Sequence, residues 1–223
     1  MKDKITYYNC HTHRKPQSEN EFCIRNAFLC DFPENGSNYC FSSGLHPWFV
    51  NNYSESRLEN LLLKIAQHPK NLAIGEIGLD KTKPHFEKQM TVFLQQLAIA
   101  QKLEKPLLIH AVKSMDEIIS PLRSFKGMIV LHGYQGNLQQ WEQLNQNQNV
   151  YVSFGSKSLQ ENEKLHKTIQ EIPLPFILAE TDNKPLRIQE VYKAIANIKN
   201  ISLEVLAVQI EENFCNVFGS NQN

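Results

Sequence analysis

Residues 106–132, PLLIHAVKSMDEIISPLRSFKGMIVLH, contain two short apolar runs that each end in histidine, with a longer amphipathic segment between them. Short apolar runs and amphipathic segments alternate in this way over almost the whole chain. Such alternation is typical of βαβ units around a parallel sheet. The sequence therefore predicts an α/β fold.

Eight apolar runs are candidate strands, and eight is a number that closes a barrel. The second and third candidates are separated only by a loop rich in Pro, Gly and Asn, with no helix between them. No linker or internal repeat divides the chain, so we expect one domain over residues 1–223. The candidate strands are Ile5–Asn9, Phe22–Leu29, Tyr39–Ser43, Leu72–Glu76, Pro106–His110, Met128–His132, Val150–Phe154 and Phe176–Glu180.

Apolar residues at helical spacing predict five helices. Ser56 and Glu59 have the spacing of a capping box at the start of the first one. The segment 135–149 is rich in Gln and Asn, yet its apolar residues recur at helical spacing, which indicates a surface helix with a polar face. The other predicted helices contain residues 58–66, 86–99, 188–195 and 203–214.

The composition is that of an ordinary soluble protein, with 41% hydrophobic residues. The 23 Lys and Arg balance the 23 Asp and Glu, which argues against broad attraction to nucleic acid or an anionic membrane but permits a local basic patch. No run has the length of a signal peptide or membrane span, so we expect a cytoplasmic protein with no membrane partner.

Residues that can bind metals occur where the predicted strands end, which is where barrels place their active sites. One strand ending in His is usually a core histidine, and an H-x-H motif alone is weak evidence for a metal. Three strands ending in His and two ending in carboxylates are much harder to explain by chance. The residues are His11 and His13 after the first strand, then Glu76, His110, His132, and Glu180 with Asp182.

Imidazole and carboxylate groups together are ligands for Zn²⁺, Mn²⁺, Fe or Co, and a shared carboxylate suits a site with two ions. Two ions can hold a bridging hydroxide and polarise a substrate oxygen, which suits hydrolysis of a phosphodiester, an amide or an ester. The sequence lacks G-x-S-x-G, a P-loop and G-x-G-x-x-G after a strand. Cys10 alternates with His11 and should face away from the ligands.

Seven blocks along the chain carry a resemblance to a known family. They are NCHTH, SSGLHPW, AIGEIGLD, PLLIHAV, VLHGYQG, VSFG and AETDNKP, in this order. The chain resembles the TatD family of metal-dependent hydrolases over essentially its whole length, from Asn9 to the closing NFCNVFG. The resemblance implies a single (β/α)8 TIM-type barrel of the amidohydrolase kind. It implies two divalent metal ions (Zn, Mg, Mn or similar) bound by His11, His13, Glu76, His110, His132 and Asp182.

The resemblance also implies catalytic roles and a substrate class. Glu76 is expected to bridge the two metals, and Asp182 to accept a proton from the attacking water. Characterised members are mainly deoxyribonucleases, often 3′ to 5′ exonucleases. We therefore expect a metal-dependent hydrolase of ester bonds that acts on nucleic acid, mainly single-stranded DNA ends, or on a small phosphodiester.

The chain departs from the family pattern at three positions. Asn9 replaces the usual Asp, Trp48 the second His of G-x-H-P-H, and Val112 the Arg of H-x-R. Lys113, beside the lost Arg, is expected to bind phosphate as a point charge. Trp48 either stacks on an unpaired base or packs against Pro47.

Two further residues receive roles. His46 is assigned to substrate binding with Trp48 and Lys113, and Glu180 is expected to orient a ligand histidine through a hydrogen bond. The segment between His13 and Gly44 is shorter than is usual in the family. The barrel should therefore be shortened around its first two or three strands, with no helix between the first two and a short loop after Asp80.

Two other functions stay open. One is an amide, ester or lactone hydrolase of the amidohydrolase group, although many of those sites use a carboxylated Lys where this chain has Glu76. The other is a metal-binding family member whose main role is to bind a protein partner, which the missing Arg and His would allow.

Overall fold

The computed structural model describes residues 5–29 and 39–219. Eight parallel strands form one sheet in chain order. The segment after the last strand returns to the first, because Asp182 N donates to His11 O at 3.1 Å and His13 N donates to Asp182 O at 3.1 Å. The predicted α/β barrel is confirmed. The strands are β1 (Tyr7–Thr12), β2 (Glu21–Phe28), β3 (Cys40–Gly44), β4 (Asn71–Asp80), β5 (Leu107–Val112), β6 (Ile129–Leu131), β7 (Val150–Phe154) and β8 (Ile177–Ala179).

Seven α-helices are present in residues 5–29 and 39–219, and they include the five predicted from apolar spacing. The first begins after Ser54, whose side chain accepts a hydrogen bond from Arg57 N. The predicted capping box of Ser56 and Glu59 is wrong, because both residues lie inside this helix. The helices are α1 (Glu55–Ala66), α2 (Phe86–Lys102), α3 (Met115–Arg123), α4 (Leu138–Leu144), α5 (Glu163–Glu171), α6 (Ile188–Lys199) and α7 (Leu203–Phe218).

The barrel is shortened at its start, as the sequence predicts. The connection from β1 to β2, residues 13–20, is fully described and contains no helix. Five residues separate β4 from α2, so the loop after Asp80 is short. The predicted loop between the second and third strands falls on residues 30–38, outside the described residues. β1 is covered instead by α6 and α7 from the end of the chain.

One strand is longer than its apolar run indicates. The sequence predicts an end at Glu76, but β4 continues to Asp80, with Ile77 and Leu79 fully buried. The pairing of β4 with β5 shifts register between Ile74 and Ile77. Glu76 therefore projects from the middle of a strand, in a buried position, and not from a strand end.

The strands are buried on both faces, because helices cover the outside of the barrel and side chains fill its interior. Leu107, Leu108 and Ile109 in β5 are consecutive and all fully buried. This explains why the strands appear in the sequence as continuous apolar runs. In the described part of the chain, no helix combines the length and hydropathy needed to cross a membrane.

Candidate metal centre and active site

Glu76 lies at the centre of a cluster of histidines at the carboxyl ends of the strands. Its Oε1 atom lies 2.9 Å from His110 Nδ1, 2.9 Å from His132 Nε2 and 3.2 Å from His46 Nε2. His110 belongs to β5, and His132 directly follows β6. One oxygen of the carboxylate thus meets three imidazoles from three parts of the chain.

The other oxygen of Glu76 faces a second group. Glu76 Oε2 lies 3.4 Å from His13 Nε2 and 3.6 Å from His11 Nε2. Asp182 Oδ1 completes this group, at 3.4 Å from His13 Nε2 and 3.7 Å from His11 Nε2. All six residues expected as ligands are therefore brought together, and the two oxygens of Glu76 divide them into two sets.

The donor set fits a metal. In the described part of the chain, four buried ring nitrogens of this cluster lack a hydrogen-bond partner: both nitrogens of His11, His110 Nε2 and His132 Nδ1. A buried unsatisfied polar atom costs about 1–3 kcal/mol. Of the four, His11 Nε2 faces Glu76 and Asp182, so a cation between these carboxylates would remove that cost there, whereas His110 Nε2 faces Asp80 and His132 Nδ1 faces Glu180. Three sets of ligand atoms have all members within 4.8 Å of one another. They are His11, His13 and Asp182; His11, Glu76 and His132; and His46, Glu76 and His110.

Charges within the cluster favour ionised carboxylates. Burial on its own raises the pKa of Glu76, but the charge of His132 and the hydrogen bonds of His110 and His13 hold that pKa well below its usual range. Burial lowers the pKa of His132, and the charges of Glu76 and Glu180 outweigh this effect and place it well above its usual value. Burial raises and His11 lowers the pKa of Asp182, with a net decrease. Negative charge at this position favours cations.

His46 faces the cluster through one nitrogen only. Its Nδ1 accepts a hydrogen bond from Trp48 N at 3.2 Å, so a neutral ring carries its proton on Nε2. Burial lowers the pKa of His46, which favours that neutral ring. Nε2 then donates to Glu76 Oε1. His46 lines the cavity beside Trp48, and this hydrogen bond gives it a role in holding Glu76 that the sequence did not indicate.

Asn26 in β2 is a second residue that the sequence did not indicate. Its Nδ2 donates to Glu76 Oε2 at 3.1 Å, and its Oδ1 accepts from Glu76 N at 3.4 Å. A single amide therefore holds both the side chain and the backbone of Glu76. No local pattern identifies this contact, because it depends on how β2 and β4 are placed across the barrel.

A family model described as TatD related DNase matches residues 30–219 of this chain. The chain belongs to the TatD family. An uncharacterized metal-dependent hydrolase of Buchnera aphidicola is 31% identical over 212 residues, which cover 86% of this chain and 78% of that protein. The human 3′-5′ RNA nuclease TATDN2 is 30% identical over 174 residues, covering 74% of this chain and 23% of TATDN2.

A solved TatD homologue has the same barrel. The crystal structure of YjjV from Escherichia coli superimposes with a TM-score of 0.84 at 22% identity, covering 96% of this chain and 98% of YjjV. The family assignment and the buried cluster agree. This TatD chain is a metal-dependent hydrolase whose cluster of His, Glu and Asp can bind metal.

Asn9, where the TatD pattern usually has Asp, is fully buried beside the cluster. Its amide Nδ2 donates to Glu21 Oε1 at 2.8 Å and to Thr181 Oγ1 at 2.9 Å, and its Oδ1 accepts from Thr181 N at 3.1 Å. Asn9 thus ties β1 to the segment that carries Asp182. A carboxylate here would lie against Glu21, so the amide suits its neighbour.

Glu180 lies behind His132, away from Glu76. Glu180 Oε1 is 3.6 Å from His132 Nδ1, longer than a hydrogen bond, and Oε2 accepts from Ser153 Oγ. Gly133 has φ 55°, and a Cβ there would lie 3.3 Å from Glu180 Oε1. Glycine at this position leaves room for the carboxylate beside the ring.

Trp48 is fixed at one edge, and Lys83 Nζ lies over one face of its ring, 4.4 Å from the centroid. Its Nε1 donates to Asp80 Oδ2 at 2.7 Å, while the side chain is 53% exposed. Asp80 is itself held by hydrogen bonds from Thr82 N and Oγ1, at 2.8 and 2.6 Å. Trp48 lines a cavity of about 250 Å³ together with Phe49 and residues of the cluster. The hydrogen bond to Asp80 sets the position of the indole edge.

Lys113 and Cys10 lie away from that cavity. Lys113 is exposed just after β5, with φ 53°, and lines a neighbouring cavity that also touches His132. Cys10 is buried in the hydrophobic core, where burial raises the pKa of its thiol well above the ordinary value. A neutral buried thiol is not a nucleophile.

Proposed function

We propose that this TatD protein is a metal-dependent deoxyribonuclease that hydrolyses phosphodiesters at single-stranded DNA ends, in the manner of an exonuclease. One observation supports this above the others: the two oxygens of Glu76 face two separate sets of ligand atoms. A carboxylate with this arrangement is suited to bridge two divalent ions such as Zn²⁺, Mg²⁺ or Mn²⁺.

In this proposal His11, His13 and Asp182 hold one ion, and His110 and His132 hold the other. Ions so placed lower the pKa of a bound water and polarise a phosphoryl oxygen. The protein supplies fixed ligand positions in a buried pocket, because the side chains of His11, Glu76 and His132 are at least nine-tenths buried. Glu180 Oε1 lies 3.6 Å from His132 Nδ1, and its negative charge favours a proton on that nitrogen, which would leave Nε2 free for the ion.

Asp182 is proposed as the proton acceptor. Its side chain is 40% exposed, whereas that of Glu76 is 5% exposed, so Asp182 is the carboxylate that an attacking water can reach. His11 lowers its pKa, which keeps it ionised and able to accept a proton near neutral pH. Glu76 is held by too many neighbours to serve in this way.

The proposed substrate follows from the rim of the site. Trp48 is half exposed and lines the cavity beside Glu76, and aromatic faces stack on unpaired bases of any sequence. Lys113 offers a point charge for phosphate beside Val112, the position at which the family usually has Arg. TATDN2 is described as a 3′-5′ RNA nuclease, which supports the proposal that the present chain also acts on a nucleic acid.

The test is a substrate panel. Purified protein is loaded in turn with Mg²⁺, Mn²⁺ or Zn²⁺ and offered single-stranded and duplex DNA, single-stranded RNA, bis(p-nitrophenyl) phosphate and p-nitrophenyl acetate. We expect single-stranded DNA to be shortened from its ends. Hydrolysis of the neutral ester without cleavage of any phosphodiester would replace this proposal with the amide or ester alternative. Metal uptake without turnover on any substrate would favour a partner-binding role.

A further inference from the structure

Three cavities lie side by side where the segments after β5 to β8 border the cluster of His, Glu and Asp side chains around Glu76, called the metal cluster below. The first is lined by His132, Asp182, Lys157 and Lys184, among others. The other two share residues with it, and Gln135 lines all three. They therefore form one continuous depression that begins at the proposed metal ligands and leads away from them. We name it the lysine groove.

The lysine groove concentrates positive charge in a chain whose formal net charge is zero. Apart from the cluster residues Glu180 and Asp182, two acidic residues line it, Asp116 and Glu171. Glu171 is paired with Lys167 at 3.7 Å. Five lysines line the groove: Lys113, Lys157, Lys164, Lys167 and Lys184.

The backbone also presents one of these lysines in an unusual way. Lys113 has φ 53°, a left-handed conformation that costs a residue other than glycine about 1 kcal/mol or more. Neighbouring contacts hold it there, because Lys81 N donates to Val112 O at 3.0 Å and Ser114 Oγ donates to Leu79 O at 2.9 Å. Such conformations are concentrated at binding sites.

We propose that the lysine groove binds the sugar–phosphate backbone of the strand whose end lies at the metal cluster. The inference rests on the proposed nuclease function and narrows it, since the substrate becomes an oligonucleotide and not a small phosphodiester. Lysine ammonium groups bind phosphates as point charges without reading sequence. The amide of Gln135, exposed in the groove, can donate to phosphate oxygens in the same way.

The position of each lysine makes the proposal specific. Lys157 and Lys184 line the cavity that touches the metal cluster, so they should contact phosphates close to the strand end. Lys164 lines only the outer cavity of the groove and should contact phosphates further along. Short strands should therefore depend on the first pair, and only long strands on Lys164.

The experiment measures binding and turnover in the full chain. Anisotropy of labelled oligothymidylates of increasing length is recorded in EDTA, where cleavage is suppressed, at several salt concentrations. The variants are Lys157→Gln with Lys184→Gln, Lys164→Gln, and Lys102→Gln as the control. Lys102 ends α2 and lines none of the three cavities. Circular dichroism and thermal melting confirm that each variant folds.

We expect wild-type affinity to rise with strand length. The double variant should bind all lengths about tenfold more weakly and lose about 1.4 from the slope of log K against log salt, roughly 0.7 for each phosphate contact. Lys164→Gln should weaken the long strands alone, and Lys102→Gln should match wild type. Equal affinities and slopes in all variants, or a wild-type affinity independent of length, would overturn the proposal.

Turnover separates this inference from the proposed function. With Mn²⁺ the double variant should lose more kcat/KM on oligothymidylate than on bis(p-nitrophenyl) phosphate. If wild type cleaves oligothymidylate and the lysine variants do so equally well, the groove is wrong and the nuclease stands. If wild type cleaves no phosphodiester but binds strands through these lysines, the groove stands and the nuclease proposal fails.

Discussion

The metal cluster and the rim around it differ in how their side chains are held. Glu76, at the centre, contacts five histidines and Asn26, and it is almost completely buried. Trp48, on the rim, is fixed by a hydrogen bond to Asp80 and leaves half of its surface exposed. The many contacts of Glu76 hold the centre in one geometry. Residues on the rim can be substituted without disturbing that geometry.

The departures from the TatD pattern fit this division. Asn9 pairs with Glu21, and Trp48 pairs with Asp80, so each altered residue has a matching partner nearby. Val112 lines the groove in which the lysines lie. Substitutions at the centre should therefore abolish function, and those at the rim should retune it.

The largest effect is expected from Glu76→Gln. The amide keeps the shape but removes the negative charge shared by the two sets of ligands, so the protein should bind almost no metal and lose activity on the order of a thousandfold or more. Elemental analysis after dialysis against Mn²⁺ or Zn²⁺ measures the metal. Glu87→Gln, on the exposed first turn of α2, is the matched control. Retention of two equivalents of metal would contradict the central role of Glu76.

Asp182→Asn should separate metal binding from turnover. The side chain keeps an oxygen for a cation but cannot take a proton, so part of the metal should remain while kcat falls by about 10²–10⁴-fold. Metal content and single-turnover cleavage of a labelled strand are measured on the same sample. Near wild-type rates would remove Asp182 from the role of proton acceptor.

Asn26→Ala should weaken the cluster without removing a ligand. Glu76 would lose a side-chain and a backbone hydrogen bond, and loss of a residue that orients a ligand typically costs 10–100-fold in metal affinity or activity. Titration calorimetry with Zn²⁺ measures the change. Asn20→Ala, whose amide donates to Ile5 O, controls for loss of a part-buried amide hydrogen bond. Equal zinc affinity in both variants would show that Asn26 does not position Glu76.

Asn9→Asp restores the residue usual in the family and should destabilise this chain. The new carboxylate would lie at hydrogen-bond distance from Glu21 Oε1, which costs about 2 kcal/mol at neutral pH. One of the two acids would have a folded-state pKa above its unfolded value, so the folded protein binds more protons and the deficit shrinks as the pH falls through that pKa. Urea unfolding at several pH values tests this, and adding Glu21→Gln should restore stability. A deficit that is constant with pH would refute the explanation.

Much of the fold was predictable because the barrel strands are buried on both faces and appear as apolar runs. The members of the buried His, Glu and Asp cluster were predictable because they follow those runs. β4 was predicted too short, since Gly78 and Asp80 look like loop residues. In the structure Gln89 anchors Asp80, donating to its carbonyl at 3.1 Å and accepting from its backbone N at 2.8 Å. Asn26 was missed because its contact depends on the placement of β2 across the barrel, which no local spacing encodes.

The smallest effect is expected at Trp48, and it distinguishes the exposed ring from its anchor. Trp48→Ala removes both and should raise KM on single-stranded DNA about fivefold, equivalent to ~1 kcal/mol, the low end for base stacking because the ring is half exposed. Trp48→Phe keeps an aromatic face but loses the hydrogen bond to Asp80, so its KM should rise about twofold.

Leu94→Ala, at another exposed apolar residue, is the control. kcat should be unchanged in all three variants, because Trp48 does not contact His11 or His13, the histidines that face Glu76 Oε2. Duplex DNA, whose bases are paired, should respond less than single strands. Equal KM values for Trp48→Ala and wild type would leave the indole no part in binding. A large fall in kcat would mean that the indole supports the cluster through Asp80, whose Oδ2 lies 3.8 Å from His110 Nε2.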